Sequence, residues 1–293
     1  MNSASVANID INRDCKATMF EQWHFQVAPY TEFPCRENDL CLLFNPAGEL
    51  LPAAEDNGLI HFCGYGCYAG QHPQDAVFLG YWEEKRCYAV TLTDQDCETR
   101  KFFSLREILA HQNAEMACLA CMGKQLLDWR KHTRYCSACG VILQEKTEER
   151  ARVCPACGEL YYPRISPAVI VAVHRDEKIL LAHNVNFAPG VYSLVAGYVE
   201  PGESLEQAVA REVREEVGLQ IRGIRYWGSQ AWPFPSSTLM VGFEADYASG
   251  DICPDGQEIS EAGWFALNQL PSLHRPGSIS RRIIDSLCAR QLR

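Results

Sequence analysis

Glu215 and Glu216 stand three and four residues beyond Glu212, a spacing that brings three carboxylates to one face of a helix. Each like-charged pair at that spacing costs roughly 0.2–0.5 kcal/mol, a cost that a bound cation converts into affinity. Oxygen-only donors suit hard ions such as Mg²⁺ or Mn²⁺. Ser204 and Gln207 have capping-box spacing and Gly218 suits a C′ position, so the helix runs between them with its acids in the last turns. Negative charge there opposes the macrodipole, so fold stability is a poor reason for Glu215 and Glu216, and metal binding is a better one. The competing reading is a solvated acidic helix neutralised by Arg211 and Arg214.

The flanking residues narrow this choice. Gly197, five residues, Glu203, seven residues and then Arg211-Glu-Val-Arg-Glu-Glu-Val-Gly-Leu219 fill every constrained position of the Nudix box, and the segment resembles the Nudix hydrolases. That resemblance implies an α/β/α sandwich, divalent-metal catalysis and hydrolysis of a nucleoside diphosphate linked to another moiety. It also implies that Glu212 and Glu216 ligate the metal, that Glu215 is a ligand or a water-activating base, and that Glu203 and Arg211 orient the loop and helix. Glu258, which follows a later strand, resembles a further metal ligand of the family, with a surface-loop role as the alternative for it and for Glu261.

The elements that position these groups come from the rest of the chain. Its 293 residues can bury a sizeable core, in two domains with a small insert. Hydrophobic residues make up 47% without an uninterrupted apolar run of membrane-spanning length, and Met1 to Asp10 lacks the regions of a secretory signal. The expectation is a cytoplasmic protein with no membrane partner. A formal net charge of −10 weakens any case for gripping nucleic acid through general phosphate attraction. It also repels a pyrophosphate, so neutralisation at the site must be local.

Fifteen cysteines, an odd number, include Cys136-Ser-Ala-Cys139 and Cys154-Pro-Ala-Cys157. Fourteen residues separate the pairs and a glycine follows each second cysteine, as two tight knuckles of a zinc ribbon require. Four thiolates close a tetrahedral shell, so Zn²⁺ there is structural; redox dithiols or unligated buried thiols are the alternatives. Cys118 and Cys121 sit in an apolar, helical context from Ser104 to about Lys131, and read as buried thiols rather than ligands. The glycines of Cys63-Gly-Tyr-Gly-Cys67 place that pair in a turn.

The resulting architecture is α+β: an N-terminal α+β domain over 1–132, a four-cysteine ribbon over 133–163 and a catalytic domain over 164–293. Leu40–Phe44 and Cys87–Leu92 read as strands of the first domain. Strands at Ala168–Val173, Ile179–Ala182, Val191–Ala196 and Leu239–Tyr247 build the last, and Arg281–Leu292 supplies a terminal helix whose stripe of Ile283, Ile284, Leu287 and Cys288 reads as core.

A substrate signal follows the box. Ser229-Gln230-Ala231-Trp232-Pro233-Phe234-Pro235-Ser236 combines prolines that restrict a loop, aromatics that stack on flat rings, and hydrogen-bonding groups at Gln230 and Ser236. A Pro-aromatic core turn is the alternative. The array is similar to the one that marks NADH pyrophosphatases of the NudC type, with Ala231 replacing the first family proline and a continuation through Met240 one residue longer. With the ribbon and the domain order, this resemblance covers about residues 100–293. It implies substrate contacts at Tyr162 and Tyr198, either of which can stack nicotinamide or serve as core, and at Ser280. It further implies cleavage of NAD(H) to nicotinamide mononucleotide and AMP, removal of NAD caps from RNA 5′ ends, and a homodimer. A broad Nudix hydrolase of ADP-ribose or other dinucleotides, and a non-catalytic zinc-ribbon binding protein on a Nudix scaffold, are the rival readings.

Overall fold

The computed structural model describes residues 24–28, 30, 35–36, 38–51, 63–64, 76–98, 100–111 and 114–291. The N-terminal unit carries β1 (Phe25–Val27), β2 (Leu40–Phe44), β3 (Leu50–Leu51), β4 (Cys63–Gly64), β5 (Val77–Trp82) and β6 (Lys85–Thr91). They form one sheet in the order β1-β5-β6-β2-β3, with β4 added beside β2. The pair β2–β6 is parallel and the remaining pairs are antiparallel. Strand alternation sorts its residues by face. Leu42, Phe44, Cys87 and Ala89 pack beneath the helices, whereas Cys41, Leu43, Tyr88 and Val90 join a second cluster with Phe78. The expected strand at Leu40–Phe44 has those bounds, and the one at Cys87–Leu92 begins two residues earlier. Cys63 and Gly64 lie in a strand rather than the expected turn, and Cys67 lies outside the described residues.

A short helix α1 (Asp94–Cys97) leads to α2 (Leu105–His111) and α3 (Ala114–His132). The helix expected from Ser104 to about Lys131 is thus two. Ser104 caps as its spacing predicts: its backbone N–H donates to Glu107 at 3.0 Å, and the Glu107 N–H donates to its hydroxyl at 3.3 Å. Leu105, Ile108, Met116, Leu119 and Leu126 are buried against the sheet.

The strands β7 (Gln144–Glu145), β8 (Arg152–Val153) and β9 (Leu160–Tyr161) make a small antiparallel sheet. The last unit comprises β10 (Ser166–Arg175), β11 (Lys178–Asn184), β12 (Val191–Tyr192), β13 (Val195–Tyr198), α4 (Leu205–Val217), β14 (Gln220–Trp232), β15 (Thr238–Ser249), β16 (Ile259–Ala266), β17 (Ser272–Leu273) and α5 (Ile279–Gln291). Its sheet runs β14-β15-β10-β11-β16, with β13 added to β10. Val169, Val171 and Val173 pack with Ala208, Val209, Val213 and Val217 of α4. Ile170 and Ala172 pack with Ile279, Ile283, Ile284 and Leu287 of α5 on the other face. This is the expected α/β/α sandwich, with the terminal stripe in the core.

Two expected segments differ. Val191–Ala196 is not one strand, because the chain changes partners at Ser193: Val191–Tyr192 pairs with β17, Ser193 bridges to Ala182, and β13 pairs with β10. Ser229–Trp232 is not loop either. These four residues continue β14 in register with Leu239–Val241 and Thr238, and only Pro233–Ser237 turns. Pro233 has no N–H to extend the ladder, which ends the strand there.

Candidate active site

The capping box at Ser204 and Gln207 is formed, and Gly218 closes α4 at φ 74°, its N–H donating to the Arg214 carbonyl. Within this frame Glu212 and Glu216 are buried at 9% and 6% exposure, while the Glu215 side chain is half-exposed. The three do not share one environment. Arg211 is the hub that sorts them. Its guanidinium takes Glu203 with two bonds of 2.7 and 2.9 Å, Glu212 Oε1 at 2.7 Å, Glu215 Oε2 at 3.1 Å and the Tyr198 carbonyl at 2.9 Å. The backbone N–H of Glu200 also donates to Glu203 at 3.1 Å. Arg211 first, and that N–H second, hold the Glu203 carboxyl down at about 2. Glu203 and Arg211 therefore fix the loop to the helix and to β13.

Gly197 lets the carboxylate approach that strand. A Cβ at this position would lie 2.0 Å from Glu212 Cδ, so no other residue fits while the glutamate keeps its place. Burial raises the Glu212 pKa against the pull of Arg211, with Glu215 and Glu258 adding to the rise. Glu216 is pushed up to about 8 by burial, then by Glu212, Glu258 and Asp255. Its Oε2 is buried and has no hydrogen-bond partner among the described residues. Glu258 is exposed on the loop before β16, close enough to act on both acids.

Asp255 was not legible as part of this group. Its loop is tied to the end of α4, with the Asp255 N–H donating to the Glu216 carbonyl at 3.1 Å and the Cys253 N–H to Val217 at 3.0 Å. The Asp255 carboxylate accepts from the N–H groups of Gln257, Glu258 and Ile259 at 2.9 to 3.1 Å. An Asp-x-Gln-Glu turn was the available signal, but it does not say which helix the turn will meet.

In the ribbon, Gly140 and Gly158 take φ 77°, and their N–H groups return to the carbonyls of Cys136 and Cys154 at 2.8 and 2.9 Å. The Sγ atoms of Cys136, Cys139, Cys154 and Cys157 lie within 4.8 Å of one another, and three pairs are at 3.4, 3.6 and 3.8 Å. A Zn–S bond of about 2.3 Å gives a tetrahedral edge of about 3.8 Å, so this donor set fits Zn²⁺. Among the described residues it is the one such group of three or more at that closeness. Tyr161 donates to Cys136 Sγ at 3.3 Å and, as the leading cause, lowers its pKa to about 6. Arg150 then ties the ribbon to the first sheet through the carbonyls of Ala28 and Leu79 at 2.8 and 3.0 Å.

The residues expected to meet substrate fall in two places. A hollow of about 530 Å³ is lined by Trp232 and Ser280, and also by Arg106, Phe187, His274 and Arg275. Arg106, from α2 of the N-terminal unit, lies 4.3 Å over the Phe234 ring and 5.5 Å from that of Trp232. Only tertiary packing unites them. Ala231, Trp232 and Phe234 pack on Leu109, Ala117 and Cys121. Ser280 is buried, sharing a 2.9 Å hydrogen bond with the Ser193 hydroxyl. Gln230 donates to the Gly277 carbonyl at 2.8 Å, while its Oε1 is buried without a partner among the described residues.

A second hollow of about 400 Å³ is lined by Tyr162, Pro235 and Ser236 together with His132 and Arg164. Tyr162 is 54% exposed and donates to Glu149 at 3.1 Å, so it is not core. Tyr198 is exposed too, its hydroxyl 3.3 Å from that of Thr238.

Comparison with known proteins matches this arrangement unit by unit. Residues 164–287 match the NUDIX domain, 131–162 the NADH pyrophosphatase zinc ribbon domain, and 38–129 the NADH pyrophosphatase-like rudimentary NUDIX domain. The NAD-capped RNA hydrolase NudC of Pseudomonas aeruginosa (strain LESB58) is 44% identical over 73% of this chain and 77% of that protein. The chain belongs to the NudC-type NADH pyrophosphatases of the Nudix family. A second NudC-type relative, the NAD-capped RNA hydrolase NudC of Stutzerimonas stutzeri (strain A1501), is 42% identical over 83% of this chain and 80% of that protein. A crystal structure of a NUDIX hydrolase from Nitrosomonas europaea covers 53% of this chain and 88% of that one at 29% identity, with a TM-score of 0.43.

Proposed function

We propose that this NudC-type protein hydrolyses the central pyrophosphate of NAD(H) to NMN(H) and AMP, and acts likewise on NAD-capped RNA 5′ ends. The observation that carries the reading is the buried Glu212–Glu216 pair, with one Glu216 oxygen that has no hydrogen-bond partner among the described residues and with Glu258 near enough to raise its pKa. A carboxylate left there without a partner costs stability unless a cation meets it. The donors are all oxygens, which fits Mg²⁺ or Mn²⁺ held by Glu212, Glu216 and Glu258, with Glu215 as a further ligand. Such an ion supplies positive charge against the phosphoanhydride oxygens.

The chain's own groups do the rest. Glu203 and Arg211 hold the box loop in place, and Glu215, half-exposed at the Arg211 guanidinium, is the group from which a base accepting the water proton can be drawn. Trp232 and Arg106 offer a stacking wall for a flat base in the hollow that Ser280 also lines, with Phe234 backing Arg106 and Gln230 bonded to the Gly277 carbonyl of the same hollow. Tyr162 and Tyr198, both exposed, offer the second stacking surface, beside Pro235 and Ser236. Exposed Tyr135, Ile142, Leu160 and Ile165 on and beside the ribbon support a homodimer. No helix among the described residues is long and apolar enough to cross a membrane; with thiolates that need reducing conditions, this supports a cytoplasmic setting. Unit boundaries near 132/133 and 163/164 complete the proposal.

Hydrolysis of NADH, followed as AMP and NMNH release with and without Mg²⁺, tests the reading. Metal-dependent release of both products is expected, with kcat/KM for NADH above that for ADP-ribose. The opposite ranking would replace it by a broad dinucleotide hydrolase. On capped RNA a shallow salt dependence is expected, since a chain of net charge −10 contacts few phosphates.

A further inference from the structure

The ribbon and the second hollow share one strand end. Tyr161 closes β9, opposite Arg152 of β8, and packs with Cys136, Leu143 and Cys154. Its hydroxyl sits on the first knuckle, accepting from the Ser137 N–H at 2.8 Å and donating to Cys136 Sγ at 3.3 Å. Tyr162 follows and donates to Glu149, in the loop between β7 and β8, at 3.1 Å. Both phenols are thus bonded to the ribbon, and both residues line the hollow with Pro235 and Ser236. Residues 162–165 belong to no helix or strand, and the chain enters the catalytic sheet at Ser166, whose N–H donates to the Ser237 carbonyl at 2.8 Å.

We infer that Tyr161 is a positioning residue for the reaction, through which the zinc knuckle fixes the strand end that carries Tyr162 and so sets the affinity for the part of the substrate stacked there. The inference rests on the proposed role of Tyr162 as a stacking surface. Tyr162 is 54% exposed, so anchors along the chain rather than surrounding side chains decide where its ring stands. A two-residue strand such as β9 is a weak anchor by itself. A metal-bound thiolate is a firm one: four bonds of about 2.3 Å hold Cys136 in place, and a hydroxyl bonded to it shares that order. Glu149 alone gives less, because its carboxylate is partly exposed and shared with Lys146 at 2.6 Å. Zinc then serves substrate affinity as well as the folding of the ribbon.

Steady-state kinetics of Tyr161→Phe, which keeps the ring and removes the hydroxyl, test this beside Tyr162→Ala. Losing one hydrogen bond to a thiolate should raise KM for NADH by about 3- to 10-fold and leave kcat unchanged, with the ribbon's zinc retained. In the cobalt-exchanged protein the thiolate-to-metal charge-transfer band should shift, because the sulfur loses its donor. Tyr162→Ala should raise KM at least as much. If Tyr162→Ala raises KM and Tyr161→Phe does not, the positioning role is refuted and the stacking surface stands. An unchanged KM in Tyr162→Ala would overturn the stacking surface and the inference with it. A raised KM in Tyr161→Phe without a band shift would refute the route through the knuckle, and a fall in kcat alone would refute a role in affinity. Should Tyr161→Phe not fold, the unaltered protein decides: with cobalt in the ribbon and Ca²⁺ supplied in place of Mg²⁺, NAD⁺ should shift the charge-transfer band, and a band that stays put refutes the coupling.

Discussion

Helices α3 and α4 hold comparable places in two related units, and of the two only α4 buries carboxylates. Each covers one face of a mixed sheet built round a parallel pair, β2–β6 in the first unit and β10–β15 in the last. α3 turns Met116, Leu119, Ala120 and Leu126 to its sheet. α4 turns Ala208, Val209, Val213 and Val217 inward, but buries Glu212 and Glu216 beside them. The apolar interface is what a fold needs. The buried carboxylates oppose the fold, and the proposed metal site would give them a reason that the scaffold does not.

Replacing Glu216 should separate the two roles most sharply. Glu216→Gln keeps the shape and removes the charge, so kcat for NADH should fall by about 10²- to 10³-fold or more, while the metal-free protein is as stable as before or more so. Product release and thermal melts of the same preparations check both halves. Equal activity in the two proteins would remove Glu216 from the metal set.

Gly197 gives the next largest effect. Gly197→Ala introduces a Cβ where Glu212 Cδ now lies, 2.0 Å away, so the carboxylate must move by an ångström or more. Misplacement of that size costs about 10²-fold in rate. The loss should appear in kcat and in the Mg²⁺ concentration needed for half activity. A variant with normal Mg²⁺ dependence would show that Glu212 does not need its present seat.

Such groups differ in how far a single sequence reveals them. The box positions are local: Ser204, Gln207, Glu212, Glu216 and Gly218 act within one helix, so spacing alone fixed their places. The zinc knuckles are local for the same reason. Arg106 and Asp255 reach the site through chain folding, one from the N-terminal unit and one from a loop after β15, and nothing next to them in sequence names the partner. The extent of β14 was hidden because Ser229-Gln230-Ala231-Trp232 is neither alternating nor branched at the β-carbon; pairing with β15, not propensity, makes it strand. The split of Val191–Ala196 likewise follows from a change of partner at Ser193.

The pH dependence of stability tests the cost of the buried acid. Folding raises Glu216 from an ordinary carboxyl value of 4.5 to about 8, so the folded state favours its protonated form. The stability linked to that proton is full below about 4.5 and is lost as pH rises through 8, by an amount on the order of a few kcal/mol. Melts of the metal-free protein should therefore fall between pH 5 and 8, and saturating Mg²⁺ should flatten the slope by binding the ionised form. Glu216→Gln should lose most of the metal-free slope, keeping the part that Glu212, also raised by burial, contributes. A metal-free curve identical in the two proteins would mean that Glu216 is not held protonated.

The smallest effect belongs to the other helix. Gly123 of α3 faces its sheet from the helix side, where an added Cβ would lie 3.2 Å from Ala89 Cβ and 3.2 Å from the Phe44 ring. Those are hydrocarbon neighbours that can yield by tenths of an ångström. Gly123→Ala gains about 0.8–1.0 kcal/mol of helix propensity and loses about 1–3 kcal/mol to overpacking. The net loss is about 2 kcal/mol at most, a fall in Tm of only a few degrees. NADH hydrolysis should be unchanged, because no reacting group touches α3 at that point. A glycine-to-alanine change at each sheet–helix contact would then silence one unit and barely disturb the other. A loss of activity at Gly123 matching that at Gly197 would mean that the N-terminal sheet transmits strain to α4, and that the two units do not divide scaffold from chemistry.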